Sequence, residues 1–237
     1  MAEIRTVLVT GAAKRIGRVI AIALYRAGYN VAIHYGKSES EARATAEECG
    51  GAPLVQADLE KVDDIKRMFG EVAERLGGLY GLVNNAARFR RVDPLTLTEA
   101  DWDFIHKVNL KATFFCCQQA ALLMKKSGAG RIVNISSLGG LRPWEMYAHY
   151  CASKAGAIML TRALAKAFAP EISVNSVAPG VILASGQDPR VEELVAATPA
   201  RRMGTPEEVA EAVVYFMNAS NFVTGQVLAV DGGLSQR

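Results

Sequence analysis

Tyr150 and Lys154 stand four residues apart in the run Tyr150-Cys151-Ala152-Ser153-Lys154, and Ser137 lies thirteen residues before the tyrosine. On a helix, a spacing of four puts the phenol and the ammonium on one face. Hydride transfer to a carbonyl needs a proton donor at the oxygen, and a phenol with an ordinary pKa of about 10 is a poor acid-base group near neutrality. A cation roughly 4 Å away contributes on the order of 4 kcal/mol at an effective dielectric of about 20. That matches a lowering of about three pKa units, at about 1.36 kcal/mol each. Lys154 is therefore expected to lower the Tyr150 pKa, and the Ser137 hydroxyl to hold a substrate oxygen. Tyr147 has no such partner, because the residue four beyond it is Cys151.

A second constellation sits near the start. The segment Thr10-Gly11-Ala12-Ala13-Lys14-Arg15-Ile16-Gly17 follows the apolar run Val7-Leu8-Val9 and precedes apolar residues at Ile16, Val19, Ile20, Ala23 and Leu24. A strand, a glycine turn and an amphipathic helix in that order deliver backbone N–H groups to a helix N-terminus, which binds anions and reads as a dinucleotide turn. Arg15 occupies the place of the usual middle glycine and adds a cation beside the phosphates, with Lys14 a surface charge next to it. At the end of the second strand come His34, Tyr35, Gly36, Lys37 and Ser38, with no acid before Glu39. An acid there would suit the ribose hydroxyls of NAD, whereas Lys37 and Ser38 suit a 2′-phosphate, so NADP(H) is the expected cofactor. The same two residues would also serve as a helix cap. Asp58 in "QADLE" is a candidate for an adenine amino group, and Asn85 in "VNNAA" for bridging backbone strands; both residue types also cap helices and make turns.

These groups need a frame that gathers strand ends. Apolar runs at Thr6–Val9, Val31–Tyr35, Leu54–Gln56, Leu79–Val83, Arg131–Ile135, Ile172–Val177 and Val227–Val230 alternate with helix-length segments. That alternation predicts an α/β, Rossmann-like doubly wound parallel sheet of about seven strands with helices on both faces, and ligands beyond the carboxyl ends of the strands. The 237 residues read as one domain, 1–237, with a proline- and glycine-rich substrate loop around 180–206.

Half the residues are apolar and 22% are charged, as in globular proteins, and the net charge of +3 is scattered, which argues against a nucleic-acid partner. No apolar run is long enough to span a membrane, and no signal-peptide pattern opens the chain, so a cytoplasmic location is expected. Cys49, Cys116, Cys117 and Cys151 have neither zinc-site spacing nor disulfide density and read as reduced thiols. His34, His106 and His149 lack metal-ligand spacing, so no metal is expected.

The glycine turn, "NNA", Asn109 in "KVNLKATFF", Ser137, Tyr150 to Lys154, "VNSVAPG" and "VTGQVLAVDGG" together resemble the short-chain dehydrogenase/reductase family along the whole chain. The resemblance implies Tyr150 as general acid, Lys154 on the ribose and tuning the tyrosine, Ser137 orienting a small-molecule substrate, and Asn109 holding a water in a proton relay with Lys154. It implies a cofactor set of Gly11, Lys14, Arg15, Ile16, Gly17, His34, Tyr35, Lys37, Ser38, Asp58, Leu59, Asn85, Ala86 and Ala87, joined by Tyr150, Lys154, Pro179, Gly180 and Ile182. A homo-oligomer, normally a tetramer, is also implied. Arg15, the "HYGKS" segment and Phe89 look like the pteridine-reductase branch, in which Arg15 and Phe89 would face the substrate and the aromatic ring would stack on a pterin. Ser137 departs from that branch, which usually carries an aspartate there, and matches ordinary carbonyl reductases. The alternative is reduction of a 3-oxoacyl thioester, with Arg88, Arg90 and Arg91 as a docking patch for an acyl carrier protein. A reading from another class is a non-catalytic NADP(H)-binding sensor.

Overall fold

A computed structural model describes residues 5–182 and 191–236. Seven strands, β1 (Thr6–Val9), β2 (Asn30–Tyr35), β3 (Leu54–Gln56), β4 (Gly81–Asn84), β5 (Gly130–Ile135), β6 (Ile172–Pro179) and β7 (Val227–Val230), form one sheet in the order β3-β2-β1-β4-β5-β6-β7. Every pairing is parallel. The order reverses between β1 and β4, and a parallel sheet opens a crevice there beyond its carboxyl edge.

Alternating side chains feed two cores. Val7, Val9, Val31, Ile33, Val83 and Val177 enter one, against α1 (Arg15–Arg26), α2 (Glu39–Glu48) and α8 (Pro206–Asn218). Leu8, Val55, Leu82, Ile132 and Val174 enter the other, against α3 (Val62–Leu76), α5 (Thr113–Ser127) and α6 (Ala148–Phe168). Burial on both faces is why these strands read as continuous apolar runs. Helix α4 (Glu99–His106) passes through a π-helical turn, Lys107–Ala112, into α5.

The expected strand bounds differ by a residue or two. Leu79 and Tyr80 lead into β4, which begins at Gly81, and β6 runs on through Pro179. Within the expected 180–206 loop, Ile182 bridges Gly204 in parallel and Val191–Ala197 forms a short helix, α7. Residues 183–190 of that loop lie outside the described residues.

Candidate active site

The turn after β1 is stitched to the turn after β4. The Thr10 hydroxyl accepts the amides of Asn85 (3.0 Å) and Ala86 (3.1 Å), and Asn85 Nδ2 donates to the carbonyls of Thr10 (2.9 Å) and Gly11 (3.2 Å). Asn85 thus makes the bridge expected of it. Gly11 has φ +63°, and a Cβ on Gly17 would lie 2.3 Å from the Gly11 carbonyl oxygen and 2.4 Å from Asn85 Nδ2. Only glycine lets the helix approach the turn this closely. Arg15 opens α1 at φ +54°, a left-handed conformation normally left to glycine. The Arg15 side chain is exposed, Ile16 packs against the core, and Lys14 pairs with Glu41 at 3.5 Å on the surface.

The N-termini of α4 and α8 are closed by capping boxes, Thr98 with Asp101 and Thr205 with Glu208, and each carries acids in its first turn. The α1 terminus has neither a side-chain cap nor an acid, and Lys14 and Arg15 flank it. A helix end so left, over a glycine cradle, fits a dinucleotide phosphate.

At the end of β2 the expected cofactor residues divide. His34 is 2% exposed and turns inward: Nδ1 accepts the Gly11 amide at 3.0 Å and Nε2 lies 3.2 Å from the Ala57 carbonyl. Both ring nitrogens are taken by backbone groups of the protein, so the His34 side chain is turned away from the place expected for a cofactor. Tyr35 packs on the core. Lys37 is exposed, and Ser38 sits at the α2 N-cap without a side-chain cap hydrogen bond, so capping leaves its hydroxyl unused. Asp58 accepts the Glu60 amide at 3.1 Å and approaches Lys61 at 3.6 Å, the turn role that its residue type allows. Leu59 is buried in the core, and Ala87 is exposed beyond Ala86.

At the other end of the crevice, β5 runs into Ser137, whose hydroxyl accepts the Gly139 amide at 3.0 Å and starts a 3-10 turn, Leu138–Gly140. A Cβ on Gly140 would lie 2.8 Å from the Lys154 backbone carbon, and one on Gly139 would lie 3.3 Å from the Tyr150 ring. These two glycines bring the serine turn against α6, and sequence reasoning did not single them out; a glycine pair one residue beyond the serine that follows β5 was the available signal. Tyr150 is 9% exposed and Lys154 is 4% exposed. Lys154 Nζ donates to the Ile135 carbonyl at 2.8 Å and lies 5.9 Å from the Tyr150 ring centroid.

For the phenol, burial dominates. Desolvation pushes the Tyr150 phenol up to about 12, with a hydrogen bond from Ser137 pulling the other way. The expected net lowering of the phenol is therefore corrected, since burial sets the direction. Desolvation also brings the Lys154 ammonium down to about 8.

Around the mouth, Phe89 stacks on Tyr147 (4.7 Å, 14°) and meets Tyr150 edge-on (4.8 Å, 85°), while Trp144 lies nearly parallel to Tyr150 at 6.0 Å. Phe89 keeps 58% of its surface exposed. Asn109, in the π-helical turn, accepts the Arg88 amide at 2.7 Å and donates to the Arg88 carbonyl at 2.9 Å and to Ser153 Oγ at 3.2 Å. Its side chain thus anchors the loop that carries Phe89. The Arg88 and Arg90 guanidiniums lie over the Phe104 ring at 4.3 and 4.1 Å and pair with Glu60 and Asp101. Two of the three arginines expected as a docking patch are therefore committed within the fold, and Arg91 stays exposed. Pro179 ends β6, and the Gly180 amide donates to Val230 at 2.9 Å, carrying the chain past the same edge toward Ile182.

Residues 11–235 match a family model described as enoyl-(acyl carrier protein) reductase. The chain is 36% identical over 240 residues to 3-oxoacyl-(acyl carrier protein) reductase FabG of Staphylococcus aureus, covering 97% of this chain and 98% of that protein. It is 38% identical over 237 residues to nodulation protein G of a Rhizobium species, covering 98% and 97%. A crystal structure from Agrobacterium tumefaciens, provisionally assigned as a gluconate dehydrogenase, matches with a TM-score of 0.94 at 33% identity, covering 98% of this chain and 96% of that one. The names of these relatives match the thioester alternative better than the pteridine reading drawn from Arg15 and Phe89.

Proposed function

The chain belongs to the short-chain dehydrogenase/reductase family and is an oxidoreductase, and from that premise we propose that it reduces the carbonyl of a 3-oxoacyl thioester, or of a comparable small carbonyl compound, with NADPH. The observation that carries this reading is one edge of the sheet: an uncapped, glycine-packed helix terminus flanked by Lys14 and Arg15, and beside it the buried group Ser137, Tyr150 and Lys154. Gly11, Arg15, Ile16 and Gly17 would hold the pyrophosphate, Lys37 and Ser38 the 2′-phosphate, Lys154 the ribose, and Pro179, Gly180 and Ile182 the nicotinamide side. When bound, NADPH supplies the hydride that the carbonyl carbon accepts.

The protein contributes the proton and its surroundings. A phenol held at about 12 is fully protonated at neutral pH, which is the form a general acid needs. Ser137 donates a hydrogen bond to the carbonyl oxygen while Tyr150 delivers its proton there. Lys154, at about 8, is mostly cationic at pH 7. Its charge, 5.9 Å from the ring centroid, lies on the side of the phenolate left behind and favours it. Because the Asn109 side chain is taken up by Arg88 and Ser153, the proposed water relay from Lys154 would use its backbone carbonyl.

A second reading, reduction of a flat ring such as a pterin, is favoured by one feature, the aromatic cluster of Phe89, Trp144 and Tyr147 over Tyr150. NADPH oxidation against 3-oxoacyl thioesters, diketones, quinones and dihydropterins separates the two. Turnover of thioesters that survives Phe89→Ala supports the first; turnover of ring substrates alone, abolished by Phe89→Ala, supports the second. Tyr150→Phe should bind NADPH and lose most turnover. Binding without turnover of any substrate would favour the non-catalytic sensor. A cytoplasmic homotetramer is part of the proposal: Leu122 on α5 and Met159 on α6 are apolar and exposed, as faces covered by a second copy would be. No helix among the described residues is long and apolar enough to cross a membrane.

A further inference from the structure

Among the described residues, His34 is the one histidine whose two ring nitrogens both meet backbone groups of other segments. Nδ1 accepts the Gly11 amide (3.0 Å), Nε2 faces the Ala57 carbonyl (3.2 Å), and the His34 carbonyl accepts the Ala12 amide (3.0 Å). A ring nitrogen that accepts an N–H carries no proton, and one that faces a carbonyl must carry one. A single form, the neutral imidazole protonated at Nε2, satisfies both contacts. The ring therefore spans from the glycine turn after β1, across its own strand, to the end of β3.

Gly11 is also the residue against which Gly17 closes, and its carbonyl accepts Asn85. With its amide held by His34 and its carbonyl by Asn85, the Gly11 peptides are oriented from both sides at φ +63°. The Gly11 and Ala12 amides point toward β2, which leaves the first-turn amides of α1 as the donors facing an anion.

We infer that His34 is a positioning residue for the phosphate-binding turn: as a neutral imidazole it locks the Gly11 peptide and so selects which amides a dinucleotide phosphate meets. This rests on the NADP(H) reading for its ligand, and on geometry alone for the lock. A leucine would fill the same space without accepting the Gly11 amide. Asparagine keeps an acceptor near the Nδ1 position and would preserve that bond while losing the one to Ala57.

Burial alone accounts for the downward shift of the ring's pKa, to about 4, and the Ala57 bond opposes it. The segments packed on it, Thr10 to Ala12 and Val55 to Ala57, carry no charged side chain, and the charges next along pair elsewhere, Lys14 with Glu41 and Asp58 with Lys61. Protonation would remove the acceptor and set two N–H groups against each other.

Calorimetric titration with NADPH, together with substrate kinetics at saturating NADPH, tests the assignment on the full chain. His34→Leu should weaken NADPH binding at least tenfold with the substrate KM unchanged, and His34→Asn should stay within threefold of wild type. Equal affinity in His34→Leu, or equal loss in both variants, would overturn the assignment. The lock is tested separately by nitrogen NMR of the free protein, which should show the Nε2–H tautomer, and by exchange of the Gly11 amide, slow in wild type. A fast Gly11 amide or the other tautomer would overturn the lock, whereas absent NADPH binding in wild type with a protected Gly11 would overturn only the cofactor reading.

Discussion

Replacing Arg15 by glycine and by alanine separates two properties that this residue combines. Both changes remove the guanidinium, but only glycine is free of steric cost at φ +54°. A left-handed conformation costs an L-residue about 1–2 kcal/mol. The greater freedom of glycine in the unfolded chain takes back about 0.5–1 kcal/mol. Arg15→Gly is therefore expected to be more stable than Arg15→Ala by about 0.5–1 kcal/mol, which for a chain of this length raises Tm by about 1–4 °C. Arg15 makes no salt bridge among the described residues, so loss of its charge should matter little in the free protein. Toward NADPH the two variants behave alike. If the guanidinium reaches the phosphates, both variants lose a charge-assisted hydrogen bond, about 1.5–3 kcal/mol, or roughly ten- to a hundredfold in affinity. Urea and thermal unfolding measure the first difference, and fluorescence titration the second. Equal stability of the two variants would refute the strain assigned to Arg15, and unchanged NADPH affinity in both would refute its place at the phosphates.

Gly17→Ala places a methyl 2.3 Å from the Gly11 carbonyl oxygen, so the turn and α1 must separate; a loss of about 1–3 kcal/mol in unfolding free energy and a marked loss of NADPH affinity are expected, and a variant that retains both would contradict the close approach. Lys37→Asp should shift preference from NADPH toward NADH in cofactor kinetics, and an unchanged ratio would remove Lys37 from the 2′-phosphate site. His34 titrates near 4 in the fold against an ordinary 6.5, so the unfolded chain takes up its proton first as pH falls. Its contribution to stability is complete above about pH 6.5 and is lost on descending toward pH 4, about 3 kcal/mol in all. Urea midpoints from pH 7 to pH 4.5 should therefore fall less in His34→Asn than in wild type, and parallel curves would show that the buried ring is not responsible.

The sheet was legible because its central strands are buried on both faces and so read as apolar runs; of the misplaced ends, Leu79 is buried ahead of β4, and at Pro179 the ladder runs on past the expected end of β6. Gly11, Gly17, Ser137, Tyr150 and Lys154 were legible for another reason, since their chemistry depends on residue type and local spacing. Neither signal reports how far apart two side chains stand after folding. The spacing of Tyr150 and Lys154 suggested about 4 Å and a lowered phenol, but the lysine turns to the Ile135 carbonyl and desolvation sets the direction.

By itself the sequence determined the sheet, the glycine turn, and which residues at the carboxyl edge are able to move a proton, because periodicity and residue chemistry are local properties. The tertiary structure alone decided that His34 faces inward, that the Asn109 side chain anchors the Phe89 loop, and that Arg88 and Arg90 close on Phe104. Those contacts join segments from 14 to 23 residues apart through directed hydrogen bonds and ring faces, whose partners are chosen only when the strands and helices bring them together.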